Sequence, residues 1–154
     1  MTMRAFLVYV VLILFFVGAC SETNDPKILF DKGEYKKAYS LWQPLAKDGD
    51  LFAQNYIGIH HYLGLGTKRD YKLAKEWFEK SAKQGFVDAQ YNLGVMYENG
   101  EFVKQDYMTA AMWFSLALEN GNAHAKRRMQ ALLDEHKLFP NQYNRAKELA
   151  KQYR

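Results

Sequence analysis

The chain contains a single cysteine, Cys20, so no intrachain disulfide can hold it together. It also lacks a strong charge of either sign. The formal net charge is +4 over 154 residues, or +3 without a leader that carries Arg4, and the charges are dispersed. That is too little to argue for nucleic acid as a partner. No apolar run is long enough for a permanent membrane span. The longest, residues 5–17, would make about 20 Å of helix at roughly 1.5 Å per residue, short of the roughly 30 Å hydrocarbon layer. There is no glycine loop followed by lysine-serine or lysine-threonine, and no G-x-S-x-G elbow. A phosphate cradle and a serine-hydrolase nucleophile of those kinds are thereby excluded. The four histidines do not compose a metal site. His60 and His61 point about 100° apart on a helix, and His124 and His136 lie three helical turns from each other. No cofactor, metal or small-molecule substrate is expected, and no enzyme activity.

What the chain does have is one unit written twice. Ala53, Gln54, Gly58, Gly64, Lys68, Asp70, Tyr71, Ala74, Trp77, Phe78 and Gly85 recur 36 residues later as Ala89, Gln90, Gly94, Gly100, Lys104, Asp106, Tyr107, Ala110, Trp113, Phe114 and Gly121. Such a period marks a stacked array rather than a conventional core. The register extends upstream through Glu34, Tyr35, Ala38, Trp42, Ala46 and Gly49, and downstream through Ala125, Tyr143 and Ala146. Full repeats are therefore expected at about 53–88 and 89–124, with partial repeats at both ends, filling residues 26–154.

Ahead of the array, residues 1–19 have the plan of a secretory leader: Arg4, the apolar run, then small Gly18 and Ala19. Val17-Gly18-Ala19-Cys20 resembles the bacterial lipobox, where a signal peptidase cuts just before an acylated cysteine, with Val17 where leucine is commoner. The alternative is an ordinary secretory signal followed by a stray cysteine. On the lipobox reading Cys20 bears several acyl chains, palmitate among them, enough for stable anchoring. Ser21 resembles the residue found in lipoproteins sorted to the outer membrane. Residues 20–25 then form a short polar tether, and the folded part faces the periplasm from a bacterial outer membrane.

Within the array each unit reads helix, glycine-bearing loop, helix, glycine. Asp25-Pro26 starts a short helix at 27–32, and a second at about 34–47 contains Pro44, where a kink or an early frayed end is expected. Helices at 51–62 and 70–84 make the first full unit, the latter capped by Asp70. In the second unit Asp88 and Asp106 are the expected caps, and Asn120-Gly121 the stop. A further helix is expected at 122–136 and a last one at 142–153. Short loops make paired helices antiparallel. The expected fold is all-α, a right-handed α-solenoid of stacked antiparallel helix pairs.

A-Q-x-x-(I/L)-G, G-x-G in the loop, D-Y-x-x-A, W-F and a terminal glycine resemble the Sel-one-like repeat, a relative of the tetratricopeptide repeat. Two residues depart from its pattern. His61 stands where the family has the tyrosine kept as Tyr97, and Phe102 where it has the glycine kept as Gly66. Phe102 is expected either to remodel its loop or to expose its ring. The resemblance implies a binding surface on the first helix of each pair. On those helices Asn55, Ile59 and Tyr62 form one stripe, continued by Tyr91, Val95 and Glu98 and then by Arg127, Ala131 and Asp134. Their mixture of aromatic, polar and charged groups suits a protein partner in a concave groove. The expected function is a membrane-anchored scaffold or adaptor for an envelope complex. The alternative is an inhibitor or immunity protein that binds a secreted toxin or cell-wall hydrolase. A third class, a hydrolase, would need chemistry that these residues do not assemble.

Overall fold

The computed structural model describes residues 24–153; the expected leader at 1–19 and Cys20 lie outside the described residues. Eight α-helices follow in order: α1 Pro26–Asp31, α2 Tyr35–Lys47, α3 Leu51–Leu63, α4 Tyr71–Lys83, α5 Val87–Asn99, α6 Tyr107–Glu119, α7 Ala123–Asp134 and α8 Pro140–Ala150. A 3-10 turn, Lys151–Tyr153, ends the chain's described part, and no strand occurs among the described residues. The helices start where side chains can satisfy the free N–H groups of a first turn. Asp25, Asp50, Asp70, Asp106 and Asn122 each accept such bonds, interactions whose loss typically costs about 0.5–2 kcal/mol.

Several boundaries differ from expectation. Asp88 is not a cap: the cap position of α5 is Phe86, and Asp88 lies in the first turn. There its carboxylate sits favourably at the positive end of the helix dipole. The last helix begins at Pro140 rather than at 142, because proline fits a first helical position and Gln142 Oε1 accepts the Phe139 N–H at 3.0 Å. It also stops earlier, at Ala150. Finally, α2 does not fray at Pro44. It runs on to Lys47, and the Asp48 N–H closes onto the Pro44 carbonyl at 3.0 Å.

Helices pair within units, α3 on α4 and α5 on α6, and neighbouring units join through α2 on α3 and α4 on α5; α6 packs against both α7 and α8. The spacing of 36 explains this packing. Ala38, Ala74, Ala110 and Ala146 on the second helices, and Ala53, Ala89 and Ala125 on the first, all have 0% exposure. A small side chain at these places lets helix backbones approach. Gly58 and Gly94 do the same for a ring: a methyl group on either would overlap Phe78 or Phe114, respectively. Phe78 and Phe114 are in turn fully buried. The result is an all-α solenoid with two apolar clusters, one built on Leu29, Trp42 and Ile57, the other running from Ala74 to Ala150.

Candidate functional site

The first helices of the pairs, α3, α5 and α7, lie side by side, and their solvent-facing stripe can be read from burial. Phe52, Tyr56, Ile59 and Leu63 on α3 run exposed, half-buried, half-buried, exposed. Asp88, Asn92, Val95 and Asn99 repeat that order on α5, as do His124, Arg128, Ala131 and Glu135 along α7 and its end. The three rows define one continuous surface. Its α3 part is aromatic and aliphatic, extended by Phe86, whose ring meets Phe52 edge-on at 5.4 Å. The α5 and α7 parts are polar and charged.

The stripe expected from spacing alone is rotated from this one. Ile59, Val95 and Ala131 are common to both. Asn55 is 2% exposed, so it is no groove residue; its Oδ1 accepts from Asn92 Nδ2 at 3.0 Å. Tyr62 is half-buried, its hydroxyl donating to Glu101 at 2.6 Å and its ring edge-on to Tyr71. Tyr91 tilts against Phe114 and His124. Glu98 sits 2.9 Å from the Arg128 guanidinium. Asn55, Tyr62, Tyr91 and Glu98 thus each contact a residue of the next unit; Asn55 is buried there, and the other three stay half-buried like Ile59 and Val95. Arg127 and Asp134 occupy the corresponding places on the last first-helix and remain exposed. They make only local bonds, to His124 and from Gln130.

Burial shapes the electrostatics of this surface. It raises the Glu98 carboxyl above its ordinary range, with Arg128 pulling the other way. Burial first, and then Glu101, push the Tyr62 hydroxyl far above the usual tyrosine range. The glutamine of the A-Q pair has a role that spacing did not reveal. Gln54 Nε2 donates to the Ala46 carbonyl at 3.2 Å and Gln90 Nε2 to the Ala82 carbonyl at 3.3 Å, each tying a unit to the helix before it. Gln84 and Asn120 then donate to Gln54 and Gln90 at 2.8 and 3.1 Å.

His60 and His61 are both buried. His60 donates from Nδ1 to the Leu65 carbonyl and lies among the rings of Phe30, Tyr39 and Trp42, while His61 Nε2 is 3.2 Å from the Tyr39 hydroxyl. Among the described residues no three His, Cys, Asp or Glu side chains are grouped to hold a metal ion. None of the described helices is long and apolar enough to cross a membrane. Phe102 keeps the backbone of its glycine counterpart: its φ is 60°, against 68° at Gly66, and its ring is exposed. The loop is not remodelled; the aromatic is presented.

The arrangement matches known proteins. The Sel1 repeat family model matches residues 51–86 and 87–122, two residues earlier in phase than the sequence repeat was drawn. A Sel1 repeat protein from Oxalobacter formigenes has a similar structure, with a TM-score of 0.67 and 28% identity over 84% of this chain and 54% of that one. A protective antigen present in uropathogenic Escherichia coli strains, displaying an SLR fold, aligns with a TM-score of 0.75 and 32% identity over 83% of this chain and 28% of that one. The chain thus spans about half the length of the first and little more than a quarter of the second. No curated protein matches it. Proteins built of such units serve as protein–protein interaction modules. With two Sel1 repeats, at 51–86 and 87–122, in an all-α stack, the chain is a Sel1-repeat protein.

Proposed function

We propose that this protein is a lipid-anchored module of a bacterial envelope that holds another protein on the surface formed by α3, α5 and α7. The observation that carries the reading is the row pattern on those helices. One end offers Phe52, Tyr56, Ile59 and Leu63, partly free of intrachain packing, and the other offers Asn92, Arg128 and Glu135. A partner surface with an apolar patch beside polar groups fits both ends, since buried aromatic anchors with a polar rim dominate such contacts. Acylated Cys20 would hold the stack to the outer membrane on its periplasmic side, as an adaptor within an envelope complex.

The aromatic patch of Phe52, Tyr56 and Phe86 also fits a second reading, an inhibitor or immunity protein that covers a toxin or cell-wall hydrolase. The two separate on what the captured partner does. Photo-crosslinking from Tyr56 and Asn92 in the membrane fraction should recover one abundant partner, and Phe52→Ala with Tyr56→Ala should reduce its recovery at least tenfold. Recovery unchanged in that double variant would place the docking surface elsewhere. A captured hydrolase silenced by the purified chain would select inhibition; an envelope-assembly protein would select the adaptor. For the anchor, Cys20→Ser should accumulate unprocessed precursor without acyl label, and normal maturation of that variant would refute acylation.

A further inference from the structure

One long edge of the stack is formed by the α1–α2, α3–α4, α5–α6 and α7–α8 turns. These turns touch one another in series. Gly66 lies so close to α2 that a methyl group on it would be 2.6 Å from the Tyr35 carbonyl carbon, and Lys137 in the last turn reaches the Tyr107 ring at 5.8 Å. Each of the three later junctions shows an apolar side chain to solvent: Leu63, Phe102 and Phe139, the two phenylalanines each 57% exposed. Phe102 does so from a left-handed backbone that side chains other than glycine's rarely adopt. More than half of Phe102 stays in solvent, so the fold gains little burial in return.

Acidic and basic groups are interleaved on this edge, and they differ in how they are held. Asp70 and Asp106 are committed to helix caps, Glu101 to the Tyr62 hydroxyl, Glu34 to Lys37 and Glu135 to Lys137. Lys68 and Lys104 make no ion pair among the described residues, and Arg69 only leans toward the Tyr71 ring at 6.0 Å. Phenylalanine and leucine flanked by unpaired lysine and arginine is the combination that suits the boundary between headgroups and acyl chains of an anionic bilayer. The chain also enters here. Asn24 lines a cavity with Lys32, Glu34 and Lys37 at the α1–α2 turn. Three residues lie between it and Cys20, four steps of chain with a reach of at most about 14 Å.

We propose that this edge lies on an anionic lipid bilayer, with Phe102 and Phe139 at the headgroup–acyl boundary and Lys68, Arg69 and Lys104 over anionic headgroups. The inference rests on the anchored reading above, because the short tether is what brings the edge to the membrane. The full chain, extracted from membranes, is reconstituted on phosphatidylcholine vesicles with and without phosphatidylglycerol, their acyl chains brominated to quench nearby tryptophan. Phe102→Trp should add blue-shifted emission that the brominated lipid quenches, more strongly with phosphatidylglycerol. Phe52→Trp, on the groove, should add emission that is not quenched. The double variant Lys68→Gln, Lys104→Gln should remove the phosphatidylglycerol dependence. Emission from Trp at 102 that stays unquenched, or is quenched no more than from 52, would overturn the proposal and leave the phenylalanines to a protein partner. The intact mass of the same preparation reads the anchor separately: an unmodified Cys20 removes that reading, while the quenching comparison still decides the edge.

Discussion

The two full repeats share a backbone and differ in what they hang on it. Gly58 with Phe78 in the first unit and Gly94 with Phe114 in the second are the same device, a ring pressed on a helix where no Cβ stands. Elsewhere the copies diverge at equivalent places. The first unit shows Phe52 and Tyr56 where the second shows Asp88 and Asn92. Its fully buried His60 is replaced by fully buried Met96. Its Gly66 is replaced by Phe102 at nearly the same φ. Trp77 is half-buried with Lys80 over its ring at 4.0 Å, whereas Trp113 is buried against Tyr153. Residues that set the distance between helices recur because any change there is felt by two units at once. Those that face solvent or a partner are free to differ.

The largest effect should come from breaking the shared device. Phe78→Ala and Phe114→Ala each remove a fully buried ring and should each cost about 3–5 kcal/mol. Chemical denaturation of the two variants tests the equivalence, and a loss under about 1 kcal/mol in either would break it. Gly94→Ala adds the methyl that overlaps Phe114 and should cost about 1–3 kcal/mol. Gly94→Leu should lower the melting temperature further. Gly66→Ala should cost a similar amount to Gly94→Ala, because the obstacle there is the Tyr35 backbone and the φ is 68°. A Gly66→Ala protein as stable as its parent would show that the turn can move away from α2.

The packing was legible in the sequence because it depends on size at fixed spacing. Ala53, Gly58, Ala74 and Phe78 each appear with a copy 36 residues on, and a constant period of that length has one simple physical outcome. The groove was legible only in part. On a helix one position turns a residue by about 100°, so a stripe drawn from spacing takes in Asn55, which is buried against the next unit, beside Ile59 and Tyr62, which stay half-buried. The pattern carried a signal against Asn55. It lies beside the repeated Ala53-Gln54, and its own copy, Tyr91, leans on the buried Phe114. Gln54 and Gln90 do recur at the period, but recurrence shows that a position matters and not which carbonyl its amide binds. By residue type Asp88 suits a cap, yet at the position that aligns with Asp50 and Asn122 the chain has Phe86.

A smaller contrast between the units concerns acid. Burial is the main cause that holds the His60 imidazole below its ordinary range, opposed by the bond to the Leu65 carbonyl and reinforced by His61; Tyr35 and Tyr39 are the other titratable groups whose rings face it. A histidine with a depressed folded pKa is neutral in the native state, and the unfolded chain binds the proton first. Its contribution is therefore intact above the ordinary value of about 6.5 and is lost as pH falls from there through the folded value. Thermal melts between neutral pH and pH of about 5 should show this decline in the parent. His60→Met, which installs the second unit's residue, should flatten the part of the decline that belongs to His60. An unchanged slope in that variant would mean that other groups govern the acid limb.

The smallest expected effect isolates Phe102. If its left-handed backbone is a cost that the fold bears without return, glycine at that place should be tolerated or preferred. Relief of the side-chain clash is worth about 1–2 kcal/mol, and the extra freedom of an unfolded glycine offsets about 0.5–1 of it. Phe102→Gly should thus leave stability unchanged or raise it by up to about 1.5 kcal/mol, measured by denaturant titration with the slope held constant. A loss of more than 1 kcal/mol would mean that the ring packs on its own chain in solution. Its exposure would then no longer argue for a membrane or any other outside contact, and the two units would differ in packing as well as in display.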